Sequence, residues 1–172
     1  MSVLFGVDKI LISEMVPWKN QRIGMVTNEG ATTQNLVPSR LALQKAGFNL
    51  KKLFSPEHGI SAKGADGAPM LNGVDELTDL PIISLYGPKL APTADDLTDI
   101  DLILFDVPDI GVRFYTYLWT LSYLLETSAK HQIPLIILDR PNPVSGAMHL
   151  NEGRWLNPNC ASFIGRWPMP IR

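Results

Sequence analysis

The chain has 172 residues, 45% of them hydrophobic and 19% charged, with a formal net charge of −2. That length suits one domain burying roughly 70% of the surface its unfolded chain exposes, and the charge leaves no basic footprint for nucleic acid. No apolar run approaches the ~20 residues needed to span a bilayer, and the single cysteine, Cys160, excludes an intrachain disulfide and a cysteine-based zinc cluster.

In chain order, the start lacks the charged and long apolar regions of a signal peptide. A removed signal would leave no trace, so the compartment stays open. Residues 22–27 read as a buried strand, and 36–46 carry helical spacing that Gly47 stops. A strand follows over 48–54, then a loop over 55–72 containing Gly59, Gly64, Gly67 and Pro69. Loops that long inside a compact domain are usually functional or disordered. Residues 81–85 form a short strand, 93–97 a helical turn, and 101–105 a continuous apolar strand of the kind buried on both faces of a parallel sheet. The strongest helix spans 114–130, with Tyr117, Leu118, Leu121, Leu124 and Leu125 at three- and four-residue spacings. Residues 133–138 form the last clear strand. Beyond Asn142 the chain is rich in Pro and Trp and has no period, and large apolar side chains in such a tail imply a covering neighbour.

Alternating strands and helices predict a Rossmann-like α/β fold, a mostly parallel, doubly wound sheet with helices on both faces. In such a sheet the carboxyl ends of the parallel strands share one edge, where ligands bind. Five strand exits carry polar bursts, at Asn28, at Glu57 and His58, at Ser84 to Gly87, at Asp106 and Asp109, and at Asp139 to Asn142. The fold brings them to one rim. Neither nucleotide motif is present. Thr27 to Thr32 lacks the glycine pattern of a dinucleotide turn, and the Gly59 to Gly64 spacing of a P-loop is followed by Ala65 and Asp66 instead of Lys and Ser/Thr. No cofactor is expected.

Glu57 follows an apolar strand between Pro56, which fixes the chain, and Gly59, which lets it turn. It reads either as a general acid or base whose pKa is raised by partial burial, or as a loop carboxylate capping a helix beside a bystander His58. Asp109 is accounted for as a cap of the following helix, whereas Asp106 emerges from the strand itself. Tyr115, Tyr117 and Trp119 follow, and aromatics in such a helix are more often packing than ligand platforms. Arg140 either pairs with Asp106 or Asp139 and does nothing else, or grips a carboxylate or a sugar-ring substituent. A metal site from Glu57, His58 and Asp106 matches no familiar ligand spacing, so no metal is expected.

Taken together, these segments resemble the NamZ-type exo-β-N-acetylmuramidases, a glycoside hydrolase family long listed as a domain of unknown function. The resemblance is carried by Val26 to Asn28, Leu53 to Gly59, Ser84 to Gly87, Phe105 and Asp106 with Asp109 to Tyr117, Leu138 to Pro143, Glu152 and Gly153, and Ser162 to Gly165 with Pro170 to Arg172. It implies release of N-acetylmuramic acid from the non-reducing end of peptidoglycan fragments, with Glu57 as the favoured catalytic residue. It also implies a periplasmic or secreted bacterial protein; on charge and apolar run length, no nucleic-acid or membrane partner is expected. On this resemblance His58, Asp106 and Asp109 complete the catalytic candidates, with Asp106 or Asp109 as the second carboxyl. Asn28, Arg113, Tyr115, Tyr117, Arg140 and Asn142 are the substrate-binding candidates.

Two departures stand out. Pro108 occupies a position where the family usually has glutamine, and Arg172 ends the chain where the family continues into a His-Gly-Met-Thr motif and a smaller second domain. The domain expectation is therefore a Rossmann-like unit over 1–150, with 151–172 leading into a domain absent from this chain. Two rival readings are a non-catalytic carbohydrate-binding domain or truncated remnant, and a metal-dependent hydrolase.

Overall fold

The computed structural model describes residues 3–168. Its core is a six-stranded sheet of β1 (Ile23–Thr27), β2 (Leu50–Ser55), β3 (Gly73–Val74), β4 (Pro81–Ser84), β5 (Leu102–Asp106) and β6 (Leu135–Ile137). The spatial order is β3-β4-β2-β1-β5-β6. All neighbours pair in parallel except β3, which runs antiparallel along β4. Helices α1 (Gly6–Leu11), α2 (Ser39–Lys45) and α3 (Thr116–His131) cover it. Every residue of β1 and β5 is buried, as expected of central strands covered on both faces.

Side-chain alternation along these strands divides the core. Met25, Leu53 and Leu104 point to one face and pack with Val7 of α1 and Leu43 of α2. Val26, Phe54, Ile103 and Phe105 point to the other and pack with Tyr117 and Leu124 of α3. The parallel registers Val26 to Phe54, Phe54 to Ile83, Thr27 to Asp106 and Phe105 to Ile137 align the five strand exits on one rim.

The elements differ from expectation mainly at their ends. The second helix is confined to Ser39–Lys45 because Pro38 sits at its N-cap position. The long helix begins at Thr116, with Tyr115 as N-cap and no side-chain cap, so Asp109 does not cap it. The last strand shortens to three residues. The turn at 93–97 narrows to a 3₁₀ segment, Asp95–Leu97. Leu125, placed on the apolar stripe by its spacing, is 48% exposed, whereas Trp119 is fully buried. The tail explains this. Trp167 packs edge-on against Trp119, and Arg166 stacks over Tyr123 at 3.6 Å while donating to Ser122 Oγ at 2.6 Å and to Glu126. Of the tail side chains expected to be exposed, Trp167 is about half exposed, whereas Phe163 is partly buried against Tyr86 and Tyr123, and Met169 lies outside the described residues. Ile164 and Trp155 are also half exposed or more.

Among the described helices, none is long and apolar enough to cross a membrane. The N-terminal helix and β3 were not expected, and α1 fastens the far edge of the sheet. Gly6 N–H donates to the Asp139 carbonyl at 2.7 Å. A Cβ at Gly6 would meet Leu138 and the Asp139 nitrogen at 2.6 Å, and both are backbone atoms. Gly6→Ala should therefore force the β6 exit to shift and cost roughly 1–3 kcal/mol in urea unfolding, as overpacking does. Gly73→Ala, with nothing within 4 Å, is the neutral control. Equal midpoints for the two variants would disprove the close approach.

Candidate active site

The rim holds two sets of polar side chains. The first is built around Asp106, whose side chain is fully buried at the end of β5. Arg140, just past β6, grips it as a fork, Nε to Oδ1 at 2.6 Å and Nη2 to Oδ2 at 3.0 Å. Nη2 also donates to Ser39 Oγ at 3.1 Å, on the first turn of α2, and the guanidinium lies 4.9 Å from the Phe5 ring centre. Arg140 thus forms the ion pair with Asp106 that the sequence allowed, and it also lines an adjoining hollow. A carboxylate buried this deeply requires such a partner. A second buried cation, Arg40 of α2, bonds Asp75 through Nε and Glu29 through Nη2. Nothing in the sequence linked Arg40 to Asp75, which lies on a different loop.

The second set surrounds Glu57. Its side chain is only 4% exposed although it stands on the rim. Pro56 leads out of β2, and His58 and Gly59 both take left-handed backbone angles, φ +65° and +73°. Two such residues in succession turn the chain sharply, and for His58 that conformation is uncommon and needs support. The support comes from Gly64. His58 Nδ1 donates to the Gly64 carbonyl at 2.9 Å, and Gly64 N–H donates to the His58 carbonyl at 3.0 Å. In the neutral ring that leaves Nε2 as the acceptor. The loop so pinned returns over Glu57, where Gly67 N–H donates to Oε1 at 3.3 Å.

Tyr86, at the exit of β4, hydrogen-bonds the Glu57 carboxyl through its hydroxyl. Burial, that bond and the nearby charges of Glu57 and Asp66 raise the phenol's pKa, so the proton stays on Tyr86 and the tyrosine is the donor. Tyr117 contributes from α3. Its hydroxyl bonds the Asn28 side chain and lies 3.5 Å from the Glu57 carbonyl. Burial raises this phenol too. Tyr115 meets Tyr117 edge-on, with ring centres 4.7 Å apart. Burial, Tyr117 and the Asp109 charge raise its own phenol.

Tyr117 is also a wall of a cavity of about 320 Å³, shared with Asp109, Arg140 and Asn142. The fold thus gathers Asn28, Glu57, His58 and Tyr117 in one group, and Asp109, Tyr117, Arg140 and Asn142 in an adjoining hollow. Arg113 faces the tail segment, donating from Nη1 to the Arg154 carbonyl at 2.7 Å. Tyr86 and Asp66 were not among the sequence candidates. Tyr86 sat inside a recognised polar burst, whereas Asp66 lay in the middle of a loop whose return path has no sequence signature. Glu57, His58 and Asp66 each offer a ligand atom within 4.8 Å of the others, the only such grouping of three among the described residues. Asp66 therefore occupies the place that the metal reading gave to Asp106, whose two oxygens are taken by Arg140.

Comparison with known proteins agrees with this architecture. The chain is 38% identical over 168 residues to the peptidoglycan β-N-acetylmuramidase NamZ of Bacillus subtilis strain 168, covering 97% of this chain and 40% of that protein. Two crystal structures of DUF1343 family proteins from Bacteroides fragilis NCTC 9343 superpose on it. One has a TM-score of 0.84 at 32% identity, covering 98% of this chain and 42% of the other. The second has a TM-score of 0.81 at 29% identity, covering 99% and 43%. The chain thus spans about two fifths of the length of the relatives it matches. The family model for the N-terminal part of the exo-β-N-acetylmuramidase NamZ matches residues 23–172, so the chain belongs to the NamZ family.

Proposed function

We propose that this chain is the acid–base half of an exo-acting muramidase, which releases N-acetylmuramic acid from the non-reducing end of peptidoglycan fragments with Glu57 as general acid or base. The observation that carries this reading is the setting of Glu57, a buried carboxyl at the rim held by the Tyr86 hydroxyl and the Gly67 amide on a pinned backbone. A proton-transferring group needs that fixity. The relative's printed activity supports the substrate class. Within this proposal, residues 1–150 form the Rossmann-like domain, and 151–172 leads into a second domain that completes the cleft. The exposed Trp155, Ile164 and Trp167 and the greater length of the relatives support that division. His58, Asn28, Tyr115, Tyr117 and Asn142 line or orient the substrate, with Asp109 beside them.

A second reading, a metal-dependent hydrolase, rests on the spacing of Glu57, His58 and Asp66. Chelator separates the two: turnover unaffected by chelation supports acid–base chemistry, and turnover abolished by it and restored by a divalent ion supports the metal. Binding without turnover, even in a protein of the relatives' length, would instead support a carbohydrate-binding domain.

Single substitutions in a protein extended to that length test the assignment. Glu57→Gln keeps size and hydrogen bonding but removes the titrating proton, and should lower turnover by roughly 10²–10⁴-fold with an unchanged melting temperature. Turnover above half would refute the role. Tyr86→Phe removes one hydrogen bond to a charged group, worth about 1.5–3 kcal/mol, and should reduce kcat by roughly 10–100-fold with little change in KM. An unaltered kcat would show the tyrosine to be packing alone.

The lactyl carboxylate that distinguishes muramic acid from glucosamine calls for an arginine. Arg140 and Arg113 are the two candidates on this chain, the first forked onto Asp106 and the second donating to the Arg154 carbonyl. Arg113→Lys should lose preference for the muramide while remaining folded. Arg140→Met, which removes the cation and leaves Asp106 buried without a charge partner, should lose stability on the order of 3–5 kcal/mol. If Arg113→Lys discriminates as well as the parent, specificity comes from Arg140 or the remainder of the cleft.

A further inference from the structure

Glycosidases that work through two carboxyl groups separate them by about 5–5.5 Å for retention of configuration and about 6.5–9.5 Å for inversion. Two of the acids on the rim are poorly suited to partner Glu57. Asp106 is fully buried with both oxygens held by Arg140. Asp109 lines the adjoining hollow with Tyr117, where Glu57 is not part of the wall, and is within electrostatic reach of Tyr115. Asp66 is different. It is solvent-exposed, and the mutual hydrogen bonds of His58 and Gly64 bring its part of the loop back over the β2 exit. Its neighbour Gly67 bonds Glu57 directly. An Asp66 carboxylate oxygen lies within 4.8 Å of a Glu57 carboxylate oxygen, a separation nearer to that of retaining pairs and too short to admit the water that inversion places between its two carboxyls.

We propose that Asp66 is the second catalytic carboxyl, the nucleophile opposite Glu57, and that the reaction retains the configuration at the anomeric carbon. This rests on the reading of Glu57 as acid and base. In the first step Glu57 gives its proton to the glycosidic oxygen as the bond to the anomeric carbon breaks, the electron pair leaving with that oxygen. A lone pair of the Asp66 carboxylate forms the new bond to the anomeric carbon, giving a glycosyl ester. In the second step Glu57, now a carboxylate, takes a proton from water while the water oxygen attacks the same carbon. The ester bond breaks and its electron pair returns to Asp66. One water is consumed, and both carboxyls end in their starting states.

The test uses a protein of the relatives' length and an aryl β-N-acetylmuramide, with the first-formed sugar anomer followed by proton NMR. The expected first product is the β-anomer, and an α-anomer would overturn the proposal. Asp66→Asn should lower turnover on the order of 10³-fold or more, as loss of one member of a catalytic set does. Added azide should then give an α-glycosyl azide from Asp66→Asn but a β-glycosyl azide from Glu57→Gln. Rescue of that kind also shows that the variant is folded. An Asp66→Asn protein with more than half the parent turnover, beside an inactive Glu57→Gln, would remove Asp66 while leaving the Glu57 reading intact. If Glu57→Gln also stayed active, the underlying reading would fall with it.

Discussion

A carboxylate with no solvent exposure at the end of a central strand is the constraint around which this rim is organised. Moving an ion such as Asp106 out of water costs several kcal/mol even after relaxation, and only a well-made pair with further hydrogen bonds offsets that cost. The Arg140 fork supplies the pair, Ser39 accepts a further hydrogen bond, and Phe5 covers the guanidinium. Four segments distant in sequence are thereby held together: the β5 end, the β6 exit, the first turn of α2, and the residue before α1. The close approach of Gly6 to Asp139 belongs to the same knot. Asp106 and Arg140, with their charges satisfied by each other, serve as the frame. The other polar groups of the rim are gathered around Glu57 and Tyr117.

Glu57 is fixed by other means. Its position comes from the backbone on either side, a proline before it and two left-handed residues after it, and the return of the loop stabilises that turn. Its carboxyl is then aimed by Tyr86 and Gly67, which come from the β4 exit and from the loop itself. Each donor belongs to an element whose placement the sheet already determines. A side chain so held loses little further freedom when a substrate arrives, and in that sense the site is preorganised.

Much of this was legible in the residues. The central strands announce themselves as uninterrupted apolar runs, and in a parallel sheet their exits must share an edge. Asn28, Glu57, Asp106 and Arg140 could therefore be assigned to one rim without knowing any contact. The six residues of α1 and the two of β3 are too short to display a period, so their absence from the reading follows from length. Arg140 was ambiguous because the same polar exit suits a buried pair and a ligand grip, and the pair becomes visible only once Asp106 is seen to be buried. Arg40 with Asp75, and Glu57 with Asp66, depend on how loops fold back. That path is set by tertiary hydrogen bonds and leaves no local pattern. Leu125 was placed on the apolar stripe because spacing shows which residues share a helix face but not what covers it, and the tail covers the side bearing Trp119 and Ser122.

The strand order carries a consequence for how the molecule is made. Of the described strands β1 is made earliest and is central; β2 and β4 add outward on one flank, with β3, made before β4, joining as its antiparallel edge, and β5 and β6 add on the other. No strand has to be inserted between two that are already paired. A nascent chain can therefore extend its sheet in the order in which it leaves the ribosome, at the usual pace of several residues per second. By the time Gly87 has emerged, Asn28, Glu57 and Tyr86 already have their strands, whereas α3 with Tyr117 is still to come. Until then Val26 and Phe54 lie uncovered on the face that α3 will close. The interval between β4 and α3 is thus when the growing polypeptide is most prone to stick to its neighbours.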